Sequence, residues 1–191
     1  MKCIFVLLVL MLFSFSTFSQ WGGVAGFNMS TITGSKGYKY KPSVHVGLTY
    51  DYELSKKMYF HPGLLFTSTG AVLNKNMYFG GGHVKIYAIE LPLVFSFRPT
   101  VGEGKKLLFD FGFYTRCGLW GNKTYDYYDL PKVDESPFNS FRRFESGLSL
   151  GLGIQKNKYS CLLGFQQGFT NAEKSEGFYH QLVKLSLGYR F

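Results

Sequence analysis

The sequence predicts an all-β fold: an eight-stranded antiparallel transmembrane β-barrel of the outer-membrane type, preceded by an N-terminal signal peptide. Three observations predict it. Apolar and polar residues alternate along segment after segment, which is the period of a strand dividing two environments. The apolar face of these segments is large and aromatic, while the polar face is small and rich in glycine. The chain holds 20 Phe, 14 Tyr and 23 Gly, yet only 17% of its residues are charged, fewer than a soluble domain usually carries. Finally, no apolar run beyond the N-terminus is long enough to cross a membrane as a helix, so the lipid-facing element has to be a strand.

Residues 1–19 are read as the signal peptide and residues 20–191 as one outer-membrane β-barrel domain. Lys2 supplies the positive start, Cys3 to Phe13 the apolar run, and Ser14 to Gln20 the small, polar end with its cleavage site. Cys3 precedes the apolar run, so it is not placed as a lipid-attachment cysteine.

The first strand, near Trp21 to Met29, is the weakest, with Trp21, Ala25, Phe27 and Met29 facing out. The second sets Val44, Val46, Leu48, Tyr50, Tyr52 and Leu54 against Ser43, His45, Gly47, Thr49, Asp51 and Glu53. The third sets Phe60, Leu64 and Phe66 against Tyr59, His61, Gly63, Thr67 and Thr69. In the fourth, Tyr87, Ile89, Leu91, Leu93, Phe95 and Phe97 oppose Ala88, Glu90, Pro92, Val94, Ser96 and Arg98. In the fifth, Leu107, Phe109, Phe111, Phe113 and Leu119 oppose Asp110, Gly112, Tyr114, Arg116 and Gly118. The sixth carries Phe144, Leu148, Leu150, Leu152 and Ile154 against Arg143, Glu145, Gly147, Ser149, Gly151 and Gly153. The seventh carries Tyr159, Leu163, Phe165 and Phe169 against Ser160, Gly164, Gln166 and Gly168. The eighth alternates most strictly, with Val183, Leu185, Leu187, Tyr189 and Phe191 out and Leu182, Lys184, Ser186, Gly188 and Arg190 in.

The connections sort by parity. Short turns near 55–57, 99–105 and 156–158 alternate with longer loops near 30–42, 71–85, 121–140 and 170–181, as in a barrel whose termini and short turns face the periplasm. Cys117 and Cys161 fall on the lipid face of the fifth and seventh strands. With the sixth strand between them, they are predicted to be free thiols.

The formal charge is +9. An exported protein meets little nucleic acid, so the lysines of the turns are read as facing phosphate-bearing lipid, both outer-membrane phospholipid and lipopolysaccharide. No catalytic or metal-binding pattern stands out, and neither enzyme activity nor a cofactor is expected. The four histidines lack metal spacing, and Gly80-Gly81-Gly82 lacks the strand-to-helix context of a phosphate loop. Tyr125, Asp126, Tyr127, Tyr128 and Asp129 in the longest loop form a candidate binding surface for a protein partner. The interior charges are more specific. Glu90, Arg98, Asp110, Arg116, Arg143, Glu145, Lys184 and Arg190 lie on the small-residue face, where a charge has to be paired or hydrated, and they are read as a structural plug. Counting antiparallel pairs from the connections predicts a Glu90–Arg116–Glu145 chain, joined by one or both of Arg143 and Lys184, that plugs the lumen.

The segments Ile89-Glu-Leu-Pro-Leu-Val-Phe, Phe60-His-Pro-Gly-Leu-Leu-Phe, Gly26-Phe-Asn-Met-Ser, Gly164-Phe-Gln-Gln-Gly-Phe-Thr-Asn171 and Leu185-Ser-Leu-Gly-Tyr-Arg-Phe191 resemble the PorT-like outer-membrane barrel family of Bacteroidota. The resemblance spans the predicted barrel domain and implies fold and location; it implies little about activity. The ending with Tyr189 and Phe191 resembles the signal read by the barrel-assembly machinery during biogenesis. The function expected is a structural or accessory envelope role in assembly, secretion or adhesion; the alternative is surface binding through loop 121–140. A lipid-directed enzyme would need a histidine with Ser or an acid at the outer rim. His180 is the only histidine near that rim, and the sequence offers it no evident partner.

Overall fold

The computed structural model describes residues 20–33, 38–73, 81–126, 133–171 and 177–191. Eight long strands run in chain order: β1 Gln20–Thr33, β2 Lys41–Ser55, β3 Met58–Leu73, β4 Gly81–Phe97, β5 Lys105–Asp126, β6 Phe144–Lys156, β7 Tyr159–Gly168 and β8 Tyr179–Arg190. Each pairs antiparallel with the next. The ring closes where β1 pairs with β8, from Gly22 opposite Arg190 to Thr33 opposite Tyr179. Closure follows from the solvent: a backbone group facing lipid has no water to bond, so an open sheet edge cannot persist there.

The two faces separate as the alternation requires. Phe27, Val44, Leu64, Phe113, Leu152, Leu163 and Leu187 are exposed on the outside, while Glu90, Arg116, Glu145 and Lys184 are buried inside. One position breaks the count. In the β4–β5 ladder Tyr87 pairs with Trp120 and Ala88 with Gly118, so Leu119 is an extra, bulged residue. Leu119 and Trp120 therefore both face outward, and beyond them the inward set changes parity, bringing Lys123 inside. A strict period of two would have turned Trp120 into the lumen.

The strands are also longer than a membrane requires. About 9–11 tilted residues cross the hydrocarbon layer, whereas β4 has 17 residues and β5 has 22. Their excess lies at the long-loop end, so β3, β4 and β5 stand out beyond the membrane as a small sheet. Its sides are guarded by two short strands, Tyr38–Lys39 on β3 and Val133–Glu135 on β5. The segment read as the loop 121–140 is thus partly strand. Tyr125 and Asp126 end β5, whereas Tyr127, Tyr128 and Asp129 lie outside the described residues.

An apolar cap closes this end. Ile32, Ala71, Val84, Ile86 and Phe141 form a buried cluster, with Tyr38, Leu73, Phe138 and Phe178 packed against it. Phe138 lies on a 3-10 turn, Pro137–Asn139, over the mouth, and Phe141 just after it donates its amide to the Pro137 carbonyl at 2.8 Å. A Cβ at Gly118 would stand only 2.7 Å from the Phe138 ring, so this close approach requires glycine.

Cys117 and Cys161 are free. Both pair with β6, Cys117 opposite Phe144 and Cys161 opposite Ile154. Ten residues of strand, roughly 33 Å at ~3.3 Å per residue, hold them apart. Distance along the barrel, more than the intervening strand, prevents a disulfide.

Candidate functional site in the barrel lumen

The alternation carries the polar side chains inward, and strand register decides which of them meet. Glu90 of β4 lies opposite Arg116 of β5, and Arg116 lies opposite Glu145 of β6. The Arg116 guanidinium donates to Glu90 Oε2 through Nη2 at 2.7 Å and Nε at 3.1 Å, and to Glu145 Oε1 through Nη1 at 3.1 Å. The second Glu90 oxygen accepts from Lys184 Nζ of β8 at 2.5 Å and from Gln166 Nε2 of β7 at 2.8 Å. Gln166 in turn accepts from Arg116 Nη2 at 2.8 Å. Glu145 also accepts from Tyr114 Oη at 2.5 Å and from His180 Nδ1 at 2.5 Å. Two carboxylates, one guanidinium and one ammonium, buried together, balance in charge and satisfy one another's hydrogen bonds, the condition under which burying ions is tolerable.

A neutral belt completes the circle. His45 of β2 bonds Asn28 of β1 at 2.7 Å and Ser186 of β8 at 2.9 Å, and Asn28 Nδ2 donates to Thr67 of β3 at 3.1 Å. Charged and neutral belts together draw a side chain from every one of the eight strands across the lumen.

A second cluster sits toward the short turns. Arg98 donates to both oxygens of Asp51, each at 2.7 Å, and the His61 ring donates to the same carboxylate. Ser96 accepts from Arg98 Nε at 2.9 Å and donates to Asp110 at 2.5 Å. Between the two clusters lies a cavity of about 130 Å³, roofed by Glu90, Gln166 and Lys184 and walled by Gly22, Gly151 and Gly188. It has room for several waters. Among the described residues no group of three or more His, Cys, Asp or Glu side chains is arranged to hold a metal ion.

The strand pattern fits a model of the outer membrane protein beta-barrel domain across residues 13–173. The chain belongs to that family. This outer-membrane barrel also resembles solved structures. Neisserial surface protein A is 11% identical, over 90% of this chain and 97% of that one, with a TM-score of 0.52. The attachment invasion locus protein Ail of Yersinia pestis is 17% identical, over 91% and 99%, with a TM-score of 0.46. The outer membrane enzyme PagL is 12% identical, over 87% and 98%, with a TM-score of 0.47. At these identities the likeness is one of fold. No curated protein matches the sequence. The protein is an antiparallel β-barrel of the outer membrane.

The residues read from the sequence divide as follows within this outer-membrane barrel. Glu90, Arg116, Glu145 and Lys184 meet in the lumen. Arg143 does not join them. It precedes β6, outside the ladder, and donates to the carbonyls of Gly118 and Leu119 at 3.4 and 3.2 Å, with its guanidinium 4.1 Å from the Phe138 ring centre. It braces the cap, because the alternation that would turn it inward begins only at Phe144. His180 does have an acid partner, Glu145, but the pair is buried inside rather than set at the outer rim. Tyr189 and Phe191 face outward, 5.8 Å apart between ring centres, and the Phe191 amide donates to the Trp21 carbonyl at 2.9 Å. Sequence reading left Gln166, Tyr114, Asp51 and His61 without a role, and counted Arg98 among the interior charges without pairing it to Asp51. Each lay on the inward face, but only cross-strand register reveals their partners.

Proposed function

We propose that this barrel is a non-enzymatic, non-conducting envelope protein with a structural or accessory role in assembly, secretion or adhesion. The observation that carries the reading is the buried network joining Glu90, Arg116, Glu145, Gln166 and Lys184 across β4 to β8. A solute would have to part charge-assisted hydrogen bonds among buried side chains, and the aromatic cap blocks the same axis again. Activity then belongs to the surfaces, not to the bore. In this reading residues 1–19 are removed on export, and Tyr189 and Phe191 address the chain to the assembly machinery. The motif order from Gly26 to Phe191 supports placing it in the PorT-like group of Bacteroidota.

The projecting sheet favours a second reading, surface binding. Three strands extended past the membrane and guarded at both sides form a platform that carries Tyr125 and Asp126 at the end of β5.

Cells lacking the protein test the first reading. Uptake of small hydrophilic solutes is expected to stay at the wild-type rate, while envelope integrity or surface attachment changes. A fall in uptake, restored by the wild-type gene, would contradict it.

A further inference from the structure

The short-turn end carries a concentration of positive charge that the lumen does not use. Lys56 and Lys57 form the β2–β3 turn, Lys105 and Lys106 open β5, and Lys156 and Lys158 flank Asn157 between β6 and β7. Lys56, Lys57, Lys105, Lys156 and Lys158 are exposed. Among the described residues none of these five ammonium groups lies within ion-pair distance of a carboxylate.

Two of them are held in open conflict. Lys105 and Lys156 lie directly opposite in the β5–β6 ladder, a like-charge pairing that destabilises a sheet. The backbone fixes them there, since Asn157 N donates to Gly104 O at 2.9 Å and ties the two turns together. Just inside this rim is an aromatic girdle. Trp21 packs on Tyr50 with ring centres 5.1 Å apart, Phe97 on Phe109 at 6.3 Å, and Tyr159 on Tyr189 at 5.1 Å. Lys158 Nζ lies 5.8 Å from the Tyr189 ring centre. Aromatic girdles mark the level of lipid head groups.

We propose that this lysine rim binds the head groups of anionic phospholipid in the inner leaflet of the outer membrane. Short turns face the periplasm, so the rim lies at that leaflet. The three turns join alternate strand pairs and are spread around the circumference. A leaflet surrounds the barrel and reaches all of them, whereas an acidic protein docking from one side would leave some unmatched. A phosphate between Lys105 and Lys156 turns their repulsion into a shared attraction.

The test uses the barrel refolded in neutral detergent, then placed in lipid discs containing phosphatidylcholine and phosphatidylglycerol in equal amounts. The lipid retained around the protein should be enriched in phosphatidylglycerol by on the order of tenfold at low salt, and less at high salt. Replacing Lys56, Lys57, Lys105, Lys156 and Lys158 with Gln should abolish the enrichment. The single variant Lys105→Gln keeps the test decisive should the multiple variant fold poorly. It removes the like-charge pair, so it should unfold later than wild type in phosphatidylcholine and earlier in phosphatidylglycerol. Equal retention of both lipids by wild type would overturn the proposal. So would the same sign of effect for Lys105→Gln in both lipids, or tighter binding of a soluble acidic polypeptide than of phosphatidylglycerol.

Discussion

Arg116 bonds Glu90, Glu145 and Gln166, and so joins the two buried carboxylates of the lumen. Removing it as Arg116→Met would leave Glu90 with Lys184 and Gln166, and Glu145 with Tyr114 and His180, and no guanidinium between them. We predict a loss of about 3–5 kcal/mol, the range for breaking a buried ion pair from one side. Denaturant unfolding of the barrel in lipid vesicles measures it, and a loss under about 1 kcal/mol, the value of an exposed pair, would show the site to be hydrated. The charged members of this cluster were legible in the sequence: face follows from parity, and pairing follows from the lengths of the connections. Gln166 and Tyr114 were not legible, because an uncharged polar residue on an inward face has no obligatory partner. His180 was read at the rim, but a rim position does not say which way a ring turns. Arg143 was misplaced because parity was extended back beyond Phe144, the first residue of β6.

At the scale of the element, alternation located all eight strands but understated several. Strand length was inferred from membrane thickness, yet the ladder between β4 and β5 runs from Phe97 opposite Phe109 to Gly81 opposite Asp126, well beyond the membrane. Beyond Trp120 the residues of β5 turn polar, Asn122-Lys123-Thr124-Tyr125-Asp126, which reads as a loop although the ladder continues through them. The bulge at Leu119 was equally hidden, since a one-residue insertion shows only against its partner strand. It makes a sharp prediction. Deleting Leu119 removes the bulge and leaves Trp120 outside and Lys123 inside, so the barrel should fold and keep its heat-dependent gel mobility. Deleting Thr115 from the regular part of β5 exchanges the two faces on one side of the cut. That variant should fail to fold. Equal behaviour of the two deletions would show that the bulge has been misassigned.

The whole molecule is a closed wall with a filled bore. Burial of charge in the lumen, closure of the mouth by Phe138 and Phe141, and the chamber beneath Glu90 describe a barrel blocked at the middle and at the outer end, with a cavity toward the periplasm. The eight strands of the wall and their two faces were legible from the sequence, short of the Leu119 bulge and the strand ends, because lipid imposes a strict pattern on every strand. The filling was legible only in part, since it depends on contacts between strands far apart in the chain, such as Glu90 with Lys184. The most direct measurement is single-channel recording of the purified, refolded barrel in planar bilayers. Wild type is expected to give no stable conductance steps, and replacement of Arg116 to give brief, irregular openings. Large, long-lived steps from the wild-type protein would contradict it.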